Sequence, residues 1–287
     1  MTPFTIDYRG NTKEQKETKT NIVYFTTKCN LGCTYCYEAL DEVQGIDTNL
    51  EDLYNIVDEV IDREGLIDQS FFGIFGGEPT LSWNNVEKFM DYAYQKKKNV
   101  HFEMITNGIK FKDVDFIQRV YGNKHMIEGR LSISISFDGY NGNIDRIYRS
   151  GKPSTDDVII ALSNLTYLGL KYRIRYTIHK GNYKTIIQDI EDMLKYFNPL
   201  RIITSEVTEQ FTQEDRQYIH QIYAELRNRW QNNEIQIPIC ELFCDMCTGC
   251  GITRGKFKYF VQDIEYEKDA RSTEKFKHFE NYKKDNK

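Results

Sequence analysis

The sequence has no apolar run approaching the roughly 20 residues that cross a bilayer, so no membrane partner is expected. Its first twenty residues, MTPFTIDYRGNTKEQKETKT, lack the apolar stretch of a signal peptide, and a cytoplasmic location is expected. There is no excess of positive charge. The 38 lysines and arginines against 43 aspartates and glutamates give a formal net charge of −5, which argues against a wholly basic nucleic-acid-binding surface and leaves only a local patch open. No internal sequence repeat and no low-complexity linker divides the chain. Cysteine is absent from the whole stretch between Cys36 and Cys240.

What is present is a 287-residue chain with 40% hydrophobic and 28% charged residues, the balance of a globular protein. That length suits one large α/β domain with a small appendage, or two ordinary domains. The seven cysteines fall in two tight groups, three near the start and four near the end. Structural disulfides are not expected in a reducing compartment, and cysteines used as small core hydrophobes would be scattered. Grouping of this kind points to metal or cluster ligation.

Hydrophobic patterning alternates between strand and helix. Strands are expected over 21–27, 71–75, 100–106, 130–137, 171–178 and 201–207, with helices over 50–63, 84–98, 114–121, 155–168, 184–197 and 214–230. Six strand–helix units in series predict a parallel sheet with helices outside, curved by right-handed crossovers into a partial (β/α)6 barrel, with the chemistry at the C-terminal ends of the strands. The pattern breaks after Trp230. The expected organisation is a polar segment over 1–20, the barrel over 21–230, and a cysteine-rich extension with a polar tail over 231–287. One more strand is read at 257–261, and the tail from Asp263 is expected to be helical or partly disordered.

The first cysteine group reads TKCNLGCTYCY, with Cys29, Cys33 and Cys36 in C-x3-C-x2-C spacing directly after the first strand. On a helix the three would form a plain buried stripe. Gly32, Thr34 and Asn30 make a helix poor there, whereas a loop can wrap a cluster. Thiolates suit iron–sulfur clusters because both partners are soft. Three ligands for four irons leave one iron open to a small molecule.

These residues resemble the radical S-adenosylmethionine superfamily, whose CxxxCxxC loop follows the first strand and carries an aromatic residue before the last cysteine, here Tyr35. Downstream, Gly76-Gly77-Glu78-Pro79 is similar to the family's GGEP motif at the end of strand two, to which the resemblance assigns the amino group of S-adenosylmethionine. Glycines permit close backbone approach, and a carboxylate pairs with an ammonium. Thr106-Asn107-Gly108 is similar to the TNG of strand three. Ser136-Phe137-Asp138-Gly139 is similar to the SxDG of the branch that modifies peptides and proteins, which implies that Ser136 helps hold the cofactor. Ser132 and Ser134 share its face of the strand and either bond the ligand or fill a tight strand interior. The His-Asp-x-x-Arg stretch that follows SxDG in that branch is imperfect here, IDRIYR over 144–149. Arg149 is the favoured residue near the cofactor carboxylate, with Arg146 as the alternative, and Asp145 and Arg146 also suit a solvated turn. Arg173 and Arg175 share a face of strand five; inside a barrel they need anionic partners.

The second group, Cys240, Cys244, Cys247 and Cys250, is dense enough to favour iron–sulfur over zinc. It resembles the auxiliary-cluster extensions called SPASM and twitch domains, though shorter and differently spaced, which implies at most one auxiliary [4Fe-4S] cluster beside the one that binds S-adenosylmethionine. All four cysteines ligate it, or three do. The resemblance further implies reductive cleavage of S-adenosylmethionine to a 5′-deoxyadenosyl radical, hydrogen abstraction from a peptide or protein, and an external electron donor such as flavodoxin or ferredoxin. Two other classes remain open at this point: modification of a nucleotide, for which the Lys96, Lys97, Lys98 run would offer phosphate contacts, and a non-catalytic iron–sulfur or zinc scaffold.

Overall fold

The computed structural model describes residues 20–36, 45–66, 69–207 and 211–235, together with the backbone of two strands over 256–261 and 264–269. In chain order the elements are β1 (Thr20–Tyr24), α1 (Leu50–Glu64), β2 (Ser70–Phe75), α2 (Trp83–Lys96), β3 (Val100–Thr106), α3 (Val114–Tyr121), α4 (Lys124–Ile127), β4 (Leu131–Ser136), α5 (Gly139–Gly142), α6 (Thr155–Tyr167), β5 (Arg173–Ile178), α7 (Ile186–Tyr196), β6 (Ile202–Glu206), α8 (Gln213–Gln231), β7 (Lys256–Val261) and β8 (Ile264–Asp269). Short 3-10 turns cover Pro79–Ser82, Ile109–Lys112 and Asn143–Asp145.

The sheet order is β6-β5-β4-β3-β2-β1-β7-β8. Strands β1 to β6 pair in parallel, and with their helices they form the predicted α/β partial barrel. The sheet does not stop there. β7 adds in parallel to the free edge of β1, and β8 pairs antiparallel with β7. A second strand where the polar tail was expected to be helical or disordered corrects that expectation. Its backbone finds partners on a neighbouring strand, which outweighs its low apolar content.

The helices form where the apolar spacing places them. On α1, Leu53, Ile56, Val57, Val60 and Ile61 are buried. Asn49 caps its start by accepting from the Asp52 amide at 2.9 Å, and Gly65, at φ 73°, ends it. The covered face of the sheet packs on these helices: the Phe89 ring on α2 meets Phe25, Phe72 and Phe102 edge-on.

The other face is polar. Register sets it out in rows: Gly73, Glu103 and Ser132; then Ile105, Ser134 and Arg173; then Ser136, Arg175 and Ile203. Arg173 therefore lies inside the barrel, with Glu103 as its partner at 3.3 Å. The lysine run at the end of α2 is engaged with the protein. Lys96 pairs with Asp58 at 2.9 Å, Lys97 is buried with Nζ donating to the Gly65 carbonyl at 2.6 Å, and Lys98 lies over the Tyr94 ring.

Candidate active site

The first cysteine group leaves β1 as a loop. The Cys36 amide returns to the Cys33 carbonyl at 3.0 Å, closing one tight turn, and no helix forms. Two neighbouring loops hold it in place. From β2, the Gly77 amide donates to the Thr26 carbonyl and the Glu78 amide to the Lys28 carbonyl, both at 2.8 Å. From the segment after β4, the Ile147 carbonyl accepts from the Gly32 amide at 2.8 Å and the Asp145 carbonyl from the Thr34 amide at 3.0 Å. The loop is thus laced on both sides into the C-terminal edge of the sheet.

The glycines of the GGEP motif serve this lacing. A Cβ on Gly76, whose φ is 142°, would lie 2.4 Å from the Thr26 carbonyl oxygen, and one on Gly77 would lie 2.4 Å from that of Lys28. Only glycine lets the two backbones run side by side. Pro79 opens the following 3-10 turn. Glu78 is 1% exposed and its carboxylate gathers protein donors: Thr80 N at 3.0 Å, Thr80 Oγ1 at 2.5 Å, Thr106 Oγ1 at 2.7 Å and Asn107 N at 2.7 Å. It ties the end of β2 to the end of β3. Asn107 in turn donates from Nδ2 to Asn30 Oδ1 at 2.7 Å, and that Nδ2 lies 3.9 Å from Cys29 Sγ. The ends of β1, β2 and β3 are joined through these side chains.

Around the three thiols, the Leu31 amide donates to Cys29 Sγ at 3.4 Å. Burial, and then the nearby Glu78 carboxylate, push the Cys29 thiol up to about 12, and Cys33 and Cys36 are close enough to add to the shift. Burial also raises the Cys33 thiol, against the opposing field of Arg146. Among the described residues no three His, Cys, Asp or Glu side chains converge as a single ion would require. Thiolates on one ion crowd to within about 4 Å of each other, while three on separate irons of a cluster stand further apart. Three soft donors on one loop, with Cys33 and Cys36 near Cys29 and amide donors at Cys29, fit a cluster with one iron left open.

Tyr35 is fixed by a buried network. Its hydroxyl donates to Asp138 Oδ2 and accepts from Arg146 Nη1 at 2.7 Å, and its ring stacks on His179 at 4.9 Å. Asp138 also accepts from the Thr177 amide at 2.9 Å. Burial keeps the Tyr35 phenol protonated well above its ordinary range and raises Asp138, with Arg146 opposing both shifts. Asp145 accepts from Thr34 Oγ1 at 2.6 Å and faces His179 Nδ1 at 3.0 Å. Arg146 and Asp145 are therefore not a solvated turn: Arg146 is 7% exposed. Arg149, the residue favoured from sequence, is exposed, and its Nε donates to the Cys29 carbonyl at 3.1 Å. It grips the loop backbone from outside.

Ser134 is fully buried and donates to Glu103 Oε1 at 2.8 Å, so its hydroxyl organises the inner face. Ser136 is half-buried, level with Arg175. Sequence reasoning missed the roles of Asp138, His179 and Glu103. Asp138 stood inside the quoted SFDG motif, but nothing in the spacing showed that it would meet Tyr35. Cys240, Cys244, Cys247 and Cys250 lie outside the described residues.

A three-cysteine loop at the C-terminal edge of a parallel partial barrel, braced by GGE and TNG segments, defines the class. The profile of the Radical SAM superfamily matches residues 23–197, more than half of the chain. The chain belongs to this superfamily, and membership implies a [4Fe-4S] cluster with S-adenosylmethionine. Among curated relatives, an uncharacterised protein of Methanocaldococcus jannaschii is 27% identical over 61% of this chain and 57% of its own. The Fe-coproporphyrin III synthase of Methanosarcina barkeri is 30% identical over 60% of this chain and 40% of its own. The chain thus spans only about half the length of these relatives. Among solved structures, anSMEcpe with bound AdoMet and the Kp18Cys peptide matches at a TM-score of 0.69, with 17% identity, over 90% of this chain and 76% of that one. Streptococcus suis SuiB bound to its precursor peptide SuiA matches at 0.56, with 15% identity, over 92% and 65%. At these identities the structural likeness shows the fold.

Proposed function

We propose that Cys29, Cys33 and Cys36 hold a [4Fe-4S] cluster with S-adenosylmethionine at its open iron, and that the enzyme abstracts a hydrogen atom from a peptide or protein. The observation that carries the first half is the lacing of the cysteine loop to the β2 and β4 loops at the catalytic edge of the sheet. The cluster and cofactor supply the one-electron cleavage that yields the 5′-deoxyadenosyl radical. The chain's own residues bind, orient and exclude water. Gly76 and Gly77 set the loop's approach, with Pro79 fixing the turn that follows. Glu78 and Asn107 brace the thiol at Cys29. Tyr35 presents a pinned aromatic face beside the last cysteine. Ser136 lines the inner face below. Ser134 and Arg149 act through Glu103 and the Cys29 carbonyl.

The second half is supported by the likeness of the fold to two enzymes solved with peptides bound and by the SFDG segment at the end of β4. The pairing of Lys96 with Asp58 and the burial of Lys97 weaken the case for a nucleotide. A second reading, modification of a tetrapyrrole, is favoured by the 30% identity to the Methanosarcina synthase. Cys240, Cys244, Cys247 and Cys250 are assigned to an auxiliary [4Fe-4S] cluster, and the reducing electron to a flavodoxin or ferredoxin.

The test uses anaerobically reconstituted protein under reduction. Formation of 5′-deoxyadenosine establishes the cleavage. Uniformly deuterated candidate peptides and deuterated coproporphyrin are then supplied in parallel. Deuterium appearing in 5′-deoxyadenosine from the peptide supports the peptide reading. Label from coproporphyrin alone rejects it for the tetrapyrrole.

A further inference from the structure

The segment after β4 runs beside the cysteine loop as a short antiparallel pair. Leu31 bridges Tyr148, the Gly32 amide donates to the Ile147 carbonyl at 2.8 Å, and the Thr34 amide donates to the Asp145 carbonyl at 3.0 Å. That register sets Arg146 opposite Cys33, the relation in which two side chains are neighbours. The Arg146 backbone is fixed: its amide donates to the Asn143 carbonyl at 3.1 Å, and its carbonyl accepts from the Ser154 amide at 3.2 Å and from Ser154 Oγ at 2.6 Å. Cys33 and Arg146 are both buried. The guanidinium uses Nη1 on the Tyr35 hydroxyl, while its Nε is buried with no acceptor. The Asp138 carboxylate stands 3.8 Å from Nη1, too far for a hydrogen bond, and accepts instead from the Tyr35 hydroxyl and the Thr177 amide. A desolvated cation with an uncommitted donor is costly to bury, and a neutral amide would hold the Tyr35 hydroxyl as well. The charge acts on Cys33. Among the groups around this thiol, Arg146 does most to favour the thiolate, and Asp138 and then Asp145 oppose it more weakly.

We propose that Arg146, buried opposite Cys33, is a positioning residue for charge: it raises the reduction potential of the cluster held at Cys29, Cys33 and Cys36. The inference rests on that cluster assignment and is independent of the substrate. Reduction adds one negative charge to the cluster and its thiolates, so a fixed cation opposite Cys33 stabilises the reduced state over the oxidised one. Net charge and hydrogen bonds to the sulfurs are among the levers on such potentials, and a charge out of water acts more strongly than one in water. The electron comes from the one-electron carrier assigned above, which is oxidised as the cluster is reduced; no proton is moved. Arg149 does not share this role. It is exposed and binds the Cys29 carbonyl, where water and salt screen its charge. Asp145 pulls the other way, but it is engaged by Thr34 and faces His179.

Full-length wild type, Arg146→Lys, Arg146→Met, Asp138→Asn and the double variant Arg146→Met/Asp138→Asn are reconstituted anaerobically with iron and sulfide. Iron content and melting temperature check that each is loaded and folded. Each is poised at a series of potentials with redox mediators, and the reduced cluster is followed by electron paramagnetic resonance. The signal that changes on adding S-adenosylmethionine identifies the cluster concerned. Arg146→Met is expected to lower the equilibrium constant for reduction by roughly 10- to 100-fold, the scale of one partly buried charge a few ångströms away. Each tenfold moves the midpoint down by about 59 mV. Arg146→Lys keeps the charge while losing the planar fork, and its constant should stay within about threefold of wild type. An Arg146→Met midpoint equal to that of wild type overturns the proposal. So does an Arg146→Lys midpoint as low as that of Arg146→Met, because the effect would then be structural. Should Arg146→Met load no cluster, the comparison is made between Asp138→Asn and the double variant, in which no carboxylate is stranded. The double variant must then lie lower by about tenfold or more, and equality overturns the proposal. Wild type that binds no iron overturns this inference together with the cluster assignment; loaded protein with an unmoved midpoint overturns this inference alone.

Discussion

A single methyl group at Gly77 would meet the Lys28 carbonyl oxygen at 2.4 Å and its carbon at 2.7 Å. These are backbone atoms, so nothing flexible can yield, and the strand-like run of 76–78 must move away from 26–28. Overpacking of this kind costs about 1–3 kcal/mol. The displaced backbone leads one residue later into Cys29. Gly77→Ala is therefore expected to lose most of its iron while keeping its fold. Iron and sulfide per chain after reconstitution, set beside the melting temperature, check this; full iron loading would show that the close approach does not shape the cluster loop. Cys33→Ala removes a donor outright and should abolish 5′-deoxyadenosine formation, since two thiolates are a poor hold for a cluster. Glu103 gives a third residue-scale test with a definite sign. Its carboxyl is held below the ordinary value of about 4.3, so its contribution to stability is complete above that pH and is lost as pH falls through the lowered folded value. Arg173→Met should accordingly destabilise most above about pH 4.3, and the gap to wild type should close on acidification. Urea unfolding across a pH series measures it, and a gap independent of pH would remove Glu103 from the explanation.

Between elements, the cysteine loop and the segment after β4 act as one body through Tyr35, Asp138 and Arg146. Arg146→Met leaves Asp138 buried beside a phenol with no cation, a change that costs about 3–5 kcal/mol when a buried pair is broken from one side. Adding Asp138→Asn removes the stranded charge, so the double variant should be more stable than Arg146→Met alone, with a coupling of about 0.5–3 kcal/mol. Chemical unfolding of the four proteins measures the cycle, and strict additivity would deny the network. This is also where sequence reading reached its limit. The long elements were legible because period 2 and period 3.6 are local: 100–106 and 114–121 were placed to the residue, and the other ten strands and helices read in the barrel within three residues at either end, while the four-residue helices α4 and α5 were not read. The short turns at 79–82, 109–112 and 143–145 carry no such period. They are fixed by tertiary bonds such as Glu78 to Thr80. Arg146 read as a solvated turn residue because the charge pair Asp145-Arg146 looks the same in sequence whether it is buried or wet. Arg149 looked better placed by its spacing, yet burial, which spacing does not encode, selects Arg146 for the interior. The segments carrying Cys29, Cys33, Cys36, Gly76, Gly77, Glu78 and Asn107 could be placed together from sequence because they follow the C-terminal ends of β1, β2 and β3, and parallel strands bring their ends together.

At the scale of the whole molecule, the sheet has two faces with different work. The helix-covered face holds the aromatic core around Phe89, and the opposite face offers Glu103, three serines and two arginines to whatever enters the barrel. A chain with a single cluster needs only the first three cysteines. The remaining four lie close together after α8 and just before β7, the strand that joins the sheet beside β1. If all seven thiolates serve two four-iron clusters, reconstituted protein should approach about eight iron atoms per chain, and removal of the later cysteines should bring this to about four. The two clusters would then differ in function. Cys247→Ala should still form 5′-deoxyadenosine under reduction, because the cleavage needs only the first site, while turnover of the true substrate falls. Iron analysis and product formation measured on the same preparations decide the matter: about four iron atoms in wild type, or unchanged substrate turnover in Cys247→Ala, would leave the C-terminal cysteines without a catalytic role.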